Sequence, residues 1–155
     1  MVFDPVAHIT AERDATQDFI RVLQREQGIL QGSDVAALLP LSKEKGSQAQ
    51  RLVELAGERS RWIESLGYSR DHAGMERALQ AYPAAAGAWR DLLQLAQTAS
   101  ELNKINGILV NQRLRYNMQA LAALQGMTQS PGLSGLYGSD GQPRLFSGGR
   151  RLGEV

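Results

Sequence analysis

The sequence predicts an all-α protein: an elongated antiparallel helical bundle or coiled coil, followed by a flexible, glycine-rich C-terminal tail. Apolar residues recur at spacings of three and four through the first 125 residues, which is the helical period. Sustained period-two alternation is absent and aromatic residues make up only 6% of the 155, so a β-sandwich is disfavoured. Eight of the sixteen glycines fall in the last thirty residues. We therefore expect a helical bundle over residues 1–125 and a flexible tail over residues 126–155.

The first helix is predicted from about Pro5 to Leu30. Asp4 precedes it as an N-cap, and Pro5 suits the first helical position because its missing N–H costs nothing there. Alternate steps of three and four residues define a mostly apolar stripe. Its members are Val6, Ile9, Arg13, Thr16, Ile20, Leu23, Gln27 and Leu30.

A second helix is predicted after the turn at residues 32–34, from about Pro40 to Leu66, with a short turn at residues 35–39 before it. Gly67 is placed to end it as a left-handed C-cap. The same stepping predicts its buried stripe, which consists of Leu38, Leu41, Lys45, Gln48, Leu52, Leu55, Arg59, Trp62 and Leu66. A short third helix is predicted over residues 71–81.

The fourth helix is predicted to be the longest, from about Ala84 to Gln125. One apolar series recurs every seven residues, at Leu95, Leu102, Leu109, Tyr116 and Ala123. Some 40 residues at a rise of 1.5 Å would span roughly 60 Å, so we expect an elongated bundle or coiled coil. Polar residues at seam positions can fix register or partner choice. They are Arg13, Lys45, Gln48, Asn106 and Arg113.

Composition excludes several classes of protein. The chain has no cysteine, which rules out disulfides, cysteine-ligated metals and a thiol nucleophile. Its net charge of +1 gives no bulk attraction to nucleic acid or to anionic lipid. Neither a signal peptide nor a run of about 20 apolar residues is visible. We expect a soluble cytoplasmic protein with no nucleic-acid partner and no membrane insertion.

Searches for catalytic chemistry give no supported site. Residues 42–45 fit S-x-x-K but lack the companion S-D-N and K-T-G elements, so they are interpreted as a solvated first helical turn. His8 and Glu12 are one helical turn apart, but no third metal ligand stands out. No phosphate-binding loop is present. We therefore expect no enzymatic activity, no catalytic residue, no metal and no cofactor.

A polar run containing glycine, residues 102–113, interrupts the fourth helix. Gly107 in a helix interior costs about 0.5–1 kcal/mol relative to alanine. One interpretation is a tight crossing with another helix of the same bundle. The other is a shallow groove for a partner helix, with Asn103, Asn106 and Arg113 as hydrogen-bond donors along its edge.

The tail contains apolar residues that a purely solvating tail would lack. Either they fold back onto the body or they act as docking points that become ordered on binding. These residues are Leu133, Leu136, Tyr137, Leu145, Phe146 and Leu152.

Three blocks of sequence resemble the FlgN family of flagellar export chaperones. The first is Lys45-x6-Leu52-x2-Leu55-x3-Arg59-x6-Leu66-Gly67. The second is Leu102-Asn103-x2-Asn106-Gly107-x-Leu109-x3-Arg113. The third is Leu136-Tyr137-Gly138-x-Asp140-Gly141. The resemblance spans nearly the whole chain.

The resemblance implies a cytosolic, non-enzymatic chaperone. Such a protein binds the terminal helices of the hook–filament junction proteins FlgK and FlgL, keeps them unassembled and delivers them to the flagellar type III export apparatus. It also implies partner-binding residues in the helical region and in a partner-binding tail. They are Asn103, Asn106, Gly107 and Arg113, with Leu136, Tyr137 and Gly138. The alternative is a structural coiled-coil adaptor that forms homo-oligomers.

Overall fold

The computed structural model describes residues 2–127, which form four α-helices. These are α1 (Pro5–Gln31), α2 (Leu38–Ser65), α3 (His72–Leu79) and α4 (Ala86–Met127). Short 3₁₀ turns, Val35–Ala37 and Pro83–Ala85, directly precede α2 and α4. No strand occurs within residues 2–127. The predicted all-α class is confirmed, and the predicted helix ends lie within about two residues of those observed.

Local hydrogen bonds explain where α1 begins and ends. The Asp4 side chain accepts hydrogen bonds from the N–H groups of Val6 and Ala7, at 3.0 and 3.2 Å. These bonds satisfy two of the donors that a helix start leaves without a partner. At the other end, the N–H of Gly32 donates to the carbonyl groups of Gly28 and Ile29, both at 3.1 Å.

The helix α2 ends at Gly67, the glycine that was predicted from the sequence to end it. Gly67 has a φ of 80°, in the left-handed region that glycine enters without a Cβ penalty. Its N–H donates to the Glu64 carbonyl at 2.9 Å, and the N–H of Tyr68 donates to the Ile63 carbonyl at 3.2 Å. This pair of bonds is a Schellman motif, which reverses the chain toward α3.

The short helix α3 is held at its start by Asp71. The Asp71 carboxylate accepts hydrogen bonds from the Ser69 hydroxyl at 2.7 Å and from the N–H of Gly74 at 2.8 Å. The Ser69 and Gly74 hydrogen bonds, in that order, hold the pKa of Asp71 below its ordinary value. Gly74 also packs so closely that an added Cβ would lie 1.8 Å from the Ser69 carbonyl oxygen.

The chain divides into two compact units, and the boundary falls inside α4 between Asn111 and Gln112. The boundary after residue 125, expected between a helical body and a tail, stays a prediction. Each unit is described separately below.

In the first unit, α1 and α2 are antiparallel neighbours. Arg59 pairs with Glu12, and Lys45 pairs with Glu26. The later part of α1 therefore lies beside the earlier part of α2, as in an antiparallel pair. The first half of α4 runs in the same direction as α1, because its early residues pack near Ile9 and its later ones near Leu23.

The core of this unit has two clusters. The larger one joins all four helices at one end of the unit, and the smaller one joins α1 to α4. The larger contains Ile9, Trp62, Ile63, Met75, Ala78, Leu79, Ala85, Ala88, Trp89 and Leu92. The smaller contains Ile20, Leu23 and Ala99, with Phe19, Leu95 and Leu102 packed against it.

The predicted seam of α1 is wrong at one position. The stepping placed Arg13 in the seam, but the buried residue is Glu12, and Arg13 pairs with the exposed Asp14. Burial of Glu12 is possible because Arg59 meets it from α2. On α2, Leu66 was also expected in the stripe and is exposed, because the helix has ended before it.

Candidate partner-binding surface

The polar run at residues 102–113 lies within α4, but its members are in different environments. Asn106 is 1% exposed, whereas Asn103 and Gly107 are exposed and Arg113 is half-buried. The groove edge expected for Asn103, Asn106 and Arg113 stays a prediction, and Asn106 is buried in the first unit.

Asn106 is part of the interior of the first unit. Its Nδ2 donates to the Leu23 carbonyl and to Glu26 Oε2, both at 2.8 Å. Both amide hydrogens are thus used between α4 and α1. The expectation that Asn106 donates at the edge of a partner groove does not fit this placement.

Gly107 has open space around it. A Cβ added at this position would meet no described atom within 4 Å. The close helix crossing that would explain a glycine here is not seen among residues 2–127. Interhelical contacts in this run are made by Leu102, which packs against the smaller core cluster, and by the buried Asn106.

Glu26 links three helices, and sequence reasoning missed it. Its carboxylate accepts hydrogen bonds from Lys45 Nζ on α2 at 3.0 and 3.1 Å, and from Asn106 on α4. The side chains of Glu26 and Lys45 are only 15% and 27% exposed. The spacing could have found it, because Glu12 and Glu26 are two heptads apart and so share one face of α1.

A second polar link lies around Glu12. Arg59 Nε and Nη2 donate to the two Glu12 carboxylate oxygens at 2.8 and 3.1 Å, a bidentate pair that is largely buried. The Arg59 guanidinium carbon lies 5.0 Å from the centre of the Trp89 ring. Glu12 of α1 is thereby paired with Arg59 of α2, and Arg59 in turn contacts Trp89 of α4.

An open cavity of about 290 Å³ lies beside this pair, between α1, α2 and α4. Apolar side chains form most of its wall, including Phe19, Leu52 and Leu93. Among the described residues, its charged lining groups are Glu12 and Arg59, which pair with each other. The wall that these residues form is therefore mainly apolar.

Histidine does not contribute a metal site among the described residues. His8 Nε2 lies 2.8 Å from the Leu55 carbonyl, and Glu12 is occupied by Arg59. His8 Nδ1 lies 3.5 Å from Glu58 Oε2, so the carboxylate beside His8 in the described chain is that of Glu58. Within residues 2–127 no group of three or more potential metal-ligating side chains occurs.

In the second unit, residues 112–127 form the end of α4, and we call them the end segment. Large apolar side chains of this segment are exposed by more than half. They are Leu114 (55%), Tyr116 (71%), Met118 (68%), Leu121 (59%), Leu124 (59%) and Met127 (83%). The segment contains no acidic residue, and its charged residues are Arg113 and Arg115. Contiguous exposed apolar surface of this kind marks an interaction site.

The tail residues expected to bind a partner lie outside the described residues. They are Leu136, Tyr137 and Gly138. Across residues 2–127, no helix has the length and hydropathy needed to cross a membrane.

Comparison with known proteins relates the chain to one family. The family described as FlgN protein matches residues 1–144. The "Flagella synthesis protein FlgN" of Proteus mirabilis is 36% identical over 80 residues, which is 51% of this chain and 52% of that protein. The chain thus spans about half the length of the curated relative it matches. No solved structure matches it. Since the family match takes in most of the sequence, the chain belongs to the FlgN family.

Proposed function

We propose that this protein is a cytosolic export chaperone of flagellum assembly. It binds the hook–filament junction proteins FlgK and FlgL through their terminal helices, prevents their premature assembly and delivers them to the flagellar type III export apparatus. Membership of the FlgN family supports the proposal. The structural observation that carries it is the exposed apolar surface of the end segment, residues 112–127.

The physical argument starts from what such a surface can do. A helix that exposes many leucine and methionine side chains is stabilised when another amphipathic helix covers them. A partner helix that would otherwise associate with its own kind is shielded by the same contact. The role is sequestration, so it is non-enzymatic and uses no cofactor.

The residues proposed for partner binding take different parts in this function. Asn103, Gly107 and Arg113 are proposed to contact the partner along α4, and Leu136, Tyr137 and Gly138 to contact it from the tail. Asn106 is proposed to act indirectly, since its bonds to Leu23 and Glu26 hold α4 against α1.

The test is a titration of the full chain with a synthetic peptide of the C-terminal helical segment of FlgK or FlgL. We expect saturable binding with a gain of helicity in far-UV circular dichroism, because an isolated short helix is marginal in water and forms on docking. A scrambled peptide of the same composition is the control. Lack of binding at tens of micromolar peptide would count against the chaperone function.

The alternative is a structural coiled-coil adaptor, and the same exposed surface favours it as a second candidate. In that case a second copy of the chain would cover the end segment. Sedimentation at several concentrations separates the two functions: a tight homodimer that the peptides do not disturb supports the adaptor.

A further inference from the structure

Asn106 is followed directly by Gly107, and this is the only Asn-Gly pair in the sequence. Such a pair is chemically labile, because the backbone nitrogen of the second residue can attack the side-chain amide carbon of the first. Glycine has no side chain to hinder the attack, and its backbone readily adopts the conformations that the attack requires. The other asparagines precede larger residues; they are Asn103, Asn111 and Asn117. The chain is therefore most prone to lose a side-chain amide at position 106.

The reaction is deamidation through a cyclic imide. The Gly107 nitrogen gives up its proton to water or hydroxide and forms a bond to Cγ of Asn106. The bond from Cγ to Nδ2 breaks, and the amide nitrogen leaves as ammonia with a proton taken from water. A second water molecule then opens the ring at either of its two carbonyl groups. The product at position 106 is aspartate or isoaspartate, in which the main chain runs through the former side-chain carbon.

The docked helix holds the pair in an unreactive arrangement. Both residues lie inside α4, where backbone N–H groups are bonded in the helical ladder. Both hydrogens on Nδ2 of Asn106 are bonded to α1, at the Leu23 carbonyl and at Glu26 Oε2. Asn106 is also only 1% exposed, so water has little access to it. Deamidation therefore requires that this part of α4 first leaves α1.

Asn106 lies at the edge of the buried part of the described chain. It is the last buried residue before the end segment, which is exposed apart from the half-buried Arg113. Local opening is easiest where few buried contacts hold an element, so α4 opens more readily at Asn106 than near Trp89 and Leu92 in the larger core cluster. We infer that Asn106 is a deamidation site, closed while α4 is docked on α1 and reactive when this part of α4 opens.

Deamidation makes the opening irreversible. The amide nitrogen of Asn106 lies 2.8 Å from each of two acceptors, the Leu23 carbonyl and the Glu26 carboxylate. An aspartate in its place has no hydrogen to donate to either group and sets a second carboxylate against Glu26. The Lys45 ammonium, which already pairs with Glu26, then faces two carboxylates in a site that is largely buried. Isoaspartate also lengthens the main chain by one carbon, so neither product docks as asparagine does.

The experiment follows deamidation of the full chain at mildly alkaline pH, with and without guanidinium chloride. Trypsin releases residues 105–113 as one peptide that contains both Asn106 and Asn111, so mass spectrometry compares the two sites in each sample. In the folded chain, Asn106 should react at least about tenfold more slowly than in the unfolded chain. In the unfolded chain, Asn106 should react ahead of Asn111. A synthetic peptide of residues 105–113 in the same two solutions corrects for any effect of the denaturant on the chemistry.

Equal rates at Asn106 in the folded and unfolded chain would show that docking does not close the site, and would overturn the inference. An unfolded chain in which Asn106 reacts no faster than Asn111 would also overturn it.

Gly107→Ala is the variant that isolates the chemistry from the fold. An added Cβ at this position meets no described atom within 4 Å, and alanine is the better helix former, so the folded protein should melt at or above the parent temperature. In guanidinium chloride, the variant should lose the Asn106 amide several-fold more slowly than the parent, because the methyl group hinders the attack. An unchanged rate would show that the reaction does not pass through the Gly107 nitrogen, and the assigned site would be wrong.

Asn106→Asp and Asn103→Asp test the consequence of the reaction. Both changes add the same charge to α4, but Asn103 is exposed. The denaturant midpoint of Asn106→Asp should fall, with loss of amide-exchange protection over residues 102–111, whereas Asn103→Asp should stay near the parent value. Equal midpoints in the two variants would show that the product still docks on α1 and would contradict irreversible opening.

Discussion

At the scale of single residues, Asn106 shows that a polar side chain noticed from sequence can take more than one role. A polar residue at a seam position of a long amphipathic helix can bind a partner or fix the register of its own bundle. The structure favours the second role, because both amide hydrogens bond to α1 and the side chain is buried. Periodicity identifies the position on the helix, but it cannot show that Leu23 and Glu26 are the groups opposite.

Replacement of Asn106 by alanine should therefore destabilise the protein. The change removes two hydrogen bonds to α1 and opens a small cavity. In the variant, the Leu23 carbonyl still accepts its intrahelical hydrogen bond, and Glu26 still pairs with Lys45. We therefore expect the free energy of unfolding to fall by about 1–2 kcal/mol, near the lower end of the range for loss of a buried hydrogen-bonding group. Urea denaturation followed by circular dichroism measures it.

Asn103→Ala is the matched control, since Asn103 is on the same helix and exposed. Its free energy of unfolding should stay within about 0.5 kcal/mol of the parent value. Equal losses in the two variants would contradict the interior role assigned to Asn106.

At the scale of helices, most starts and stops could be predicted because their causes are local. The Asp4 cap, the Pro5 start and the Gly67 end all depend on residues within one helical turn. The seam of α1 was less predictable. A heptad can be divided into steps of four and three in either order. Between Ile9 and Thr16 the seam therefore passes through residue 12 or residue 13, and the observed one is Glu12 and not Arg13.

The turn before α3 gives the clearest prediction at this scale. A Cβ at position 74 would lie 1.8 Å from the Ser69 carbonyl oxygen, so Gly74→Ala must displace the loop that carries the Asp71 cap. Met75, which follows directly, is fully buried in the larger core cluster. We expect a loss of about 2–4 kcal/mol in the free energy of unfolding, since overpacking and loss of the cap act together. Thermal unfolding checks the loss.

Gly46→Ala is the control for this experiment. Gly46 lies inside α2, and an added Cβ would meet nothing within 4 Å. The same chemical change should stabilise the protein here by about 0.5–1 kcal/mol, because alanine is the better helix former. A Gly74→Ala protein as stable as the parent would show that the Ser69–Asp71 loop adapts without cost.

At the scale of the whole molecule, the buried residues of the described chain are confined to one part of the sequence. Every buried residue of the described chain lies between Pro5 and Asn106, and the end segment is exposed throughout except for the half-buried Arg113. Sequence periodicity could predict the helices and their order, but not this distribution. The apolar heptad series continues through Tyr116 and Ala123, which are exposed. Periodicity shows which residues share a face of a helix, but not whether that face is covered.

Deletion of residues 128–155 tests this separation. The shortened chain keeps every buried side chain that the structure describes, so the midpoint of thermal unfolding should fall by less than about 4 °C, the shift that roughly 1 kcal/mol produces in a domain of this size. The same deletion should weaken binding of the FlgK or FlgL peptide several-fold, because Leu136, Tyr137 and Gly138 are proposed to contact the partner. Calorimetry on the protein alone and titration of the peptide measure the two effects independently. A midpoint lower by more than about 10 °C would place the deleted residues in the core and would contradict the tail proposed from the sequence.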